Sequence, residues 1–80
     1  MTFTGKSVVI TGGATGIGQA TAIAFSKAGA SVTIGDIDPK AAQTVAQIVA
    51  KGGKAQFVEC NVVDAAQTTA LIATAVEAYG

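Results

Sequence analysis

The chain has 80 residues, half of them hydrophobic and 12% charged, and five lysines balance five acidic side chains to a formal net charge of zero. The apolar content excludes a disordered segment, and the balanced charge, without arginine or histidine, excludes a basic surface for a nucleic acid or an anionic membrane. A single cysteine excludes an internal disulfide and a thiolate metal cluster, so we expect a cytoplasmic protein without a metal site.

The first strand and the first helix are both predicted before residue 30. Residues 7–10 form a short β-branched run without a polar face, which is typical of a strand buried on both sides of a parallel sheet. Apolar residues then recur at helical spacing, and Gly29 supplies the left-handed conformation that commonly ends a helix. These apolar positions are Ile17, Ala20, Ala24, Phe25 and Ala28.

A second helix and two further strands follow. Residues 32–34 predict the second strand, and Asp38 with Pro39 predicts the N-cap and first turn of the second helix. Gly52 and Gly53 end that helix, and residues 55–60 predict the third strand. The apolar stripe of the second helix is Val45, Ile48 and Val49.

The third helix follows a capping sequence. Asp64 with Gln67 three residues later resembles a capping box, and Gly80 is a natural helix stop. Tyr79 continues the helical apolar stripe, so we expect this tyrosine to pack against the domain. The other stripe residues are Leu71, Ile72, Ala75 and Val76.

The element order βαβαβα predicts an α/β fold, a Rossmann-like half with a three-stranded parallel sheet flanked by helices. Each connection is long enough to be a right-handed crossover, and crossovers that continue in one direction give the strand order 3-2-1. The first two helices then lie on one face of the sheet. No linker or repeat divides the chain, so we expect residues 1–80 to form one domain.

A glycine-rich turn joins the first strand directly to the first helix. Such a turn gathers free backbone N–H groups and a helix N-terminus at one point, which attracts phosphate. The spacing suits a tight turn at Gly12, the approach of a pyrophosphate at Gly16, and close packing of helix on strand at Gly18, while Gly13 adds room. The alternative interpretation is that these glycines serve packing alone.

Asp36, at the end of the second strand, supports a nucleotide ligand. A carboxylate at this position can accept hydrogen bonds from both hydroxyls of an adenosine ribose, and it repels a 2′-phosphate. Gln19 and Ala20 follow Gly18 where a P-loop requires lysine and then serine or threonine, so the P-loop interpretation fails. A methyltransferase, which also combines a glycine turn with a ribose-binding acid, stays open as an alternative.

The segment TGGATGIG, Thr11 to Gly18, resembles the TGxxxGxG motif of the short-chain dehydrogenases/reductases. The resemblance covers the whole chain, as the amino-terminal NAD-binding half of that family. NAD-preferring members carry an acid where this chain has Asp36, and a Cys-Asp-Val sequence that Cys60 to Val62 matches except at Asn61. The family's aspartate accepts a hydrogen bond from the adenine amino group, and the Asn61 oxygen can accept one without charge. The cofactor-binding residues that the resemblance implies are Gly12, Thr15, Gly16, Ile17, Gly18, Asp36, Asn61 and Val62.

The resemblance also implies the cofactor and the chemistry. NADP-preferring relatives place a basic residue where this chain has Thr15 or Ile37, so we expect NAD(H). The parent enzyme would transfer hydride between NAD and an alcohol or carbonyl substrate. The family's Asn-Asn-Ala-Gly segment, its catalytic serine and its Tyr-x-x-x-Lys motif have no match within residues 1–80, so we assign no catalytic residue and expect no catalysis by this chain alone.

Two other functions stay open, a free-standing adenine-dinucleotide binding module and an orphan fragment that binds nothing. Without a fourth strand, residues 7–11 form an uncharged apolar sheet edge. Such edges recruit other strands, so we also expect the isolated chain to self-associate through its first strand.

Overall fold

The structure is a computed structural model that describes residues 2–12 and 14–80. It contains one parallel sheet in the order β1-β2-β3 and confirms both the alternating βαβαβα arrangement and the predicted strand order. The elements are β1 (Ser7–Thr11), α1 (Gly16–Lys27), β2 (Ser31–Asp36), α2 (Ala41–Ala50), β3 (Lys54–Glu59) and α3 (Ala65–Tyr79).

The apolar core lies between the sheet and the helices α1 and α2. Alternate residues of the strands point to this face, because successive side chains of a strand point to opposite sides. Val32 and Ile34 of the central strand are fully buried there and pack with Ala22 of α1 and Ile48 of α2. The first two helices therefore share one face, as predicted.

The helix α3 covers the opposite face and lies mainly over β1 and β2, although it follows β3 in the chain. Its buried Leu71 contacts Gly35 of the central strand. Thr33, buried on this side, bonds to the amide of Gln56, whose nitrogen also lies 3.5 Å from the Thr74 carbonyl oxygen. These bonds satisfy the polar groups beneath α3, and α3 carries the chain back toward the β1 edge.

The predicted apolar faces of all three helices were wrong in part. Ile17 is 85% exposed, and the residues by which α1 packs most tightly are Gly18 and Ala22. Small residues let the helix axis approach the sheet closely, so the bulky Ile17 is displaced to the solvent side. On α2 and α3, Ile48 and Leu71 are buried as expected. Five other stripe residues are exposed instead, namely Ala20, Ala24, Val49, Ile72 and Val76.

The beginning of α2 also differs from the prediction. The helix begins at Ala41 after Lys40, and Asp38 does not cap it. The Asp38 side chain instead accepts from the Lys40 N–H at 2.9 Å, closing a turn that includes Pro39. The predicted stop at Gly52 is confirmed by its left-handed conformation, with φ of +86°.

The helix α3 has the expected N-cap but an altered capping box. Asp64 Oδ1 accepts from the N–H groups of Ala66 at 2.9 Å and Gln67 at 3.2 Å. A capping box would return the Gln67 side chain to the Asp64 N–H. The Gln67 Oε1 atom accepts instead from the N–H of Asn61, at 2.8 Å, because the loop after β3 folds back over the helix terminus. Within the described ranges, no helix combines the length and the apolar character needed to cross a membrane.

Candidate functional site

The carboxyl ends of the three parallel strands meet at one edge of the sheet and enclose an open cleft of about 240 Å³. Register places Thr11 beside Gly35 and Asp36 beside Glu59, so the segments after the strands converge there. The cleft is lined by Thr11, Gly12, Gly35, Asp36, Ile37, Cys60, Asn61 and Val62.

The glycine-rich turn forms one wall of the site and is held by Thr15. The side chain of this residue is the N-cap of α1: Oγ1 accepts from the Gly18 N–H at 3.0 Å and donates to the Gly12 carbonyl at 2.8 Å. Gly12 adopts the left-handed conformation, with φ of +77°, that the tight turn requires. The sequence shows this capping signal as a threonine directly before the helix. Gly13, predicted to add room, lies outside the described residues.

Gly16 and Gly18 differ in their surroundings. A Cβ atom at Gly18 would overlap the Gly12 carbonyl oxygen, so this glycine is required for the contact between helix and turn. A Cβ atom at Gly16 would meet nothing within 4 Å. Gly16 is the first residue of α1, where free N–H groups and the positive end of the helix dipole favour an anion. Among the described residues, no acceptor bonds to the Gly16 N–H.

Asp36 joins the glycine turn to the end of β2. Its Oδ2 accepts from the Ala14 N–H at 3.0 Å and its Oδ1 from the Asp38 N–H at 2.9 Å. The hydrogen bond from Asp38, then that from Ala14, holds the pKa of Asp36 below its ordinary value, so the carboxylate is ionised at neutral pH. Each oxygen can accept more than one hydrogen bond, so capacity for a ligand remains. The bond to the glycine turn was not predicted from the sequence.

The loop after β3 forms the opposite wall. The Asn61 Oδ1 accepts from the Val63 N–H at 3.2 Å, and Thr68 Oγ1 lies 3.2 Å from the Val62 carbonyl. Together with the bond from Asn61 N–H to Gln67, these contacts tie the loop to the first turn of α3. The capping pattern in the sequence includes Gln67, but nothing there indicates that its partner is the loop.

The structure brings most of the predicted site residues to this edge. Of the eight, Gly12, Asp36, Asn61 and Val62 line the cleft, whereas Gly16 lies in the turn at the start of α1. The remaining three, Thr15, Ile17 and Gly18, do not line the cleft. Within residues 2–12 and 14–80, no group of three or more histidine, cysteine or acidic side chains could hold a metal ion.

The surroundings of Cys60 and Tyr79 indicate that both residues pack within the fold. Cys60 is 1% exposed at the base of the cleft, where it is a small buried side chain. Tyr79 is half-buried near the end of α3, and burial raises the pKa of its hydroxyl. This shift favours the neutral phenol and agrees with packing rather than with proton transfer near neutral pH.

The sequence is similar to known dehydrogenases over nearly its whole length. The model of the short chain dehydrogenase family matches residues 6–80. The chain is 49% identical over 77 residues to a 2,5-dichloro-2,5-cyclohexadiene-1,4-diol dehydrogenase from Sphingobium indicum, covering 95% of this chain and 31% of that protein. It is 39% identical over 79 residues to a cyclohexanol dehydrogenase from an Acinetobacter species, covering 98% of this chain and 32% of that protein.

Two solved structures have the same fold. A short chain dehydrogenase/reductase from Burkholderia phymatum in complex with NAD superimposes with a TM-score of 0.93 at 37% identity, covering 100% of this chain and 29% of that chain. A hydroxysteroid dehydrogenase from Escherichia coli superimposes with a TM-score of 0.94 at 36% identity, covering 99% of this chain and 34% of that chain. The chain thus spans about a third of the length of the relatives it matches.

Proposed function

This chain belongs to the short-chain dehydrogenase family, and from that premise we propose that residues 1–80 form the NAD-binding part of a longer oxidoreductase. The parent would transfer hydride between the nicotinamide and an alcohol or carbonyl carbon, as the dehydrogenase names of the relatives suggest. The groups that move the substrate proton would come from the two thirds of such relatives that this chain does not match. We also propose a cytoplasmic location, which rests on the composition.

The single observation that carries the proposal is the joining of an anion-binding turn to an ionised carboxylate. Asp36 accepts directly from the Ala14 N–H of the glycine turn. A pyrophosphate placed at the start of α1 by Gly16 therefore has a ribose-binding carboxylate one strand away, which is the arrangement that dinucleotides require. A Cβ atom at Gly16 would meet nothing within 4 Å, so packing does not require a glycine at this position. A ligand that occupies this space would require one. The similar chain from B. phymatum binds NAD.

The preference for NAD over NADP follows from the charge of Asp36. Asp36 is ionised at neutral pH, as its lowered pKa requires, and there it repels a 2′-phosphate and accepts from a 2′-hydroxyl. Calorimetric titrations of NADH and NADPH at one salt concentration test this, and NADH is expected to bind more tightly. Asp36→Ala should narrow the difference, because it removes both the hydrogen bonds and the repulsion. Tighter binding of NADPH to the unchanged chain would contradict the proposal.

The same titration separates the alternatives. The family match leaves the methyltransferase interpretation without support. A free-standing binding module would bind NADH with no additional segment, whereas an orphan fragment would show no heat of binding. Gly16→Val is the matched test, since its side chain would fill the proposed pyrophosphate space and should abolish binding while the fold persists. A folded Gly16→Val variant with unchanged NADH affinity would support the alternative that the glycines serve packing alone.

We propose in addition that the isolated chain self-associates by pairing β1 with β1 of a second copy. The bonds from Gly12 N–H to Gly35 and from Ser31 N–H to Lys6 show that even-numbered residues of β1 direct their backbone groups toward β2. By alternation, the backbone groups of Ser7, Val9 and Thr11 face outward. Unpaired groups on an uncharged edge form a template for strand addition.

The opposite sheet edge is protected, which favours symmetric pairing. The strand β3 carries the exposed charges of Lys54 and Glu59 at its two ends, whereas β1 carries none. Val9→Lys, at a residue that is 37% exposed on β1, should shift sedimentation toward the monomer. Val49→Lys, at a residue that is 53% exposed on α2, is the control and should leave the assembly unchanged. A monomeric unmodified chain, or equal effects of both variants, would contradict this mode of association.

A further inference from the structure

The two flanks of α3 differ in what they face. The buried Leu71 points to the sheet. The Thr74 carbonyl lies 3.5 Å from Nε2 of Gln56 on β3, so one flank of the helix is turned toward β3. Successive residues of a helix are rotated by about 100°, which places Ile72 and Val76 on the other flank, toward the β1 edge. These two apolar side chains are 52% and 58% exposed.

The strand β1 adds an exposed apolar side chain on the same face. Val8 and Ile10 belong to the core with α1 and α2, and successive side chains of a strand point to opposite sides. The side chain of Val9, which is 37% exposed, therefore lies on the α3 face of the sheet. Val9, Ile72 and Val76 form an uncharged surface at the β1 edge, which we call the edge surface.

Val76 lies close to the level of Val9 along the strands. In the sheet, Val9 pairs with Thr33, and Thr33 pairs with Gln56. Because the Gln56 amide reaches the Thr74 carbonyl, this row of the sheet passes beneath the middle of α3. Val76 follows Thr74 by two residues, which is about 3 Å along the helix axis. Val76 is therefore close to the row that ends at Val9.

The backbone of β1 presents a symmetric set of outward-facing groups. Those of Ser7, Val9 and Thr11 point away from β2, as the bonds of the neighbouring even-numbered residues show. In an antiparallel pair with a second copy, Val9 would exchange both of its bonds with Val9 of that copy, and Ser7 would pair with Thr11. The two-fold axis of this pair passes beside Val9, perpendicular to the sheet. Such an axis leaves both α3 helices side by side on the same face of the joined sheet.

We propose that α3 forms a second layer of this contact, in which the edge surfaces of two copies pack against each other across the axis. The inference rests on the proposed pairing of β1 with β1. Joined strands are about 4.8 Å apart and α3 lies mainly over β1 and β2, so the two helix axes would be about 10 Å apart. Helices pack at axis separations of about 8–10 Å, so their apolar side chains would meet.

A second copy matches both parts of this surface. A lone strand would pair with β1 and leave the apolar flank of α3 in water, and a lone helix would leave the backbone groups of β1 unpaired. Another copy supplies a strand and a helix in the required relative positions, because the same two-fold axis relates both. The single charged residue of α3, Glu77, lies three residues after Thr74 and so on the flank toward β3, away from the contact.

Disulfide cross-linking tests the contact. Val76→Cys places a thiol close to the axis, where the Cα atoms of the two copies come within the ~7 Å that a disulfide spans. Ala70→Cys is the matched control, because Ala70, four residues before Thr74, is exposed on the flank toward β3. Under mild oxidation, the yield of linked dimer from Val76→Cys should be at least about fivefold that from Ala70→Cys. The native thiol of Cys60 is 1% exposed and does not compete.

Sedimentation gives a second measurement. Val76→Lys places two like charges across the axis and should raise the dimer dissociation constant by about tenfold or more. Ala70→Lys, on the other flank, should leave the dissociation constant unchanged. Circular dichroism checks the fold of both variants.

The outcomes separate this contact from the pairing of β1. An unmodified chain that is monomeric at every concentration overturns the pairing of β1 and this inference with it. A dimer that Val9→Lys dissociates but Val76→Lys does not, or equal cross-linking of Val76→Cys and Ala70→Cys, overturns the role of α3 alone. Preferential cross-linking of Ala70→Cys would show a different arrangement of the copies and overturns that role as well.

Discussion

Alanine substitutions at Gly16 and Gly18 are expected to change stability in opposite directions, although the two residues are separated by a single position. A Cβ at Gly18 would overlap the Gly12 carbonyl oxygen and lie 2.7 Å from the carbonyl carbon. The obstacle is backbone in a turn with φ of +77°, so it cannot rotate away as a side chain would. Overpacking of this kind costs about 1–3 kcal/mol, and we expect Gly18→Ala to fall near the upper value.

Gly16→Ala lacks that obstacle. A Cβ there meets nothing within 4 Å, and Gly16 is not among the glycines with positive φ. Alanine restricts the unfolded chain more than glycine does, so Gly16→Ala should raise the free energy of unfolding by about 0.4–1 kcal/mol. Urea denaturation followed by circular dichroism measures both variants, and calorimetry with NADH should show weaker binding by the more stable one. Equal stabilities, or full NADH affinity in Gly16→Ala, would refute the reasoning that separates packing from ligand approach.

Three further predictions concern the contacts around the cleft. The hydrogen bonds that hold the pKa of Asp36 below the ordinary 3.8 stabilise the fold above that value and lose their effect as the pH falls through the lower folded pKa. The stability difference between the unmodified chain and Asp36→Asn should therefore be constant near neutral pH and shrink in urea titrations at acid pH. Gly35→Ala would place a Cβ against Leu71 and should lower the free energy of unfolding by about 1–3 kcal/mol. Adding Leu71→Ala should relieve this clash, so the double variant should lose less stability than the sum of the losses in the two single variants. Gln67→Ala removes the acceptor for the Asn61 N–H and should lower the free energy of unfolding by about 0.5–1.5 kcal/mol; Gln67→Glu, which keeps an acceptor, serves as its control.

The strands and the carboxyl ends of the helices could be predicted because their signals are local. The β-branched run of β1 and the left-handed glycines after the helices depend on backbone chemistry that neighbours alone determine. The buried face of α1 could not be predicted in the same way. Ile17 is the more hydrophobic residue, but Gly18 and Ala22 allow the closest approach to the sheet, and that advantage exists only once the sheet is present.

The site shows the same division between local and long-range signals. The glycine turn and the acid at the end of β2 were located from spacing and from a family resemblance. The bond between Asp36 and the Ala14 N–H joins residues 22 positions apart, and its existence depends on the parallel register of β1 and β2. The role of Gln67 depends likewise on how the loop after β3 folds back. Neither of these contacts can be inferred from the spacing of residues in the sequence.

The cleft walls are held by hydrogen bonds within the chain, and this bears on how a ligand would bind. Asp36 fixes the glycine turn, Thr15 fixes the start of α1, and Gln67 fixes the loop that carries Asn61. A wall that is already ordered costs little further conformational entropy when a ligand arrives. Substitution of Gln67, which does not line the cleft, should therefore weaken binding through lost order. Because Asp36 both orders the turn and offers an acceptor, its removal should combine lost order with a lost contact to the ligand.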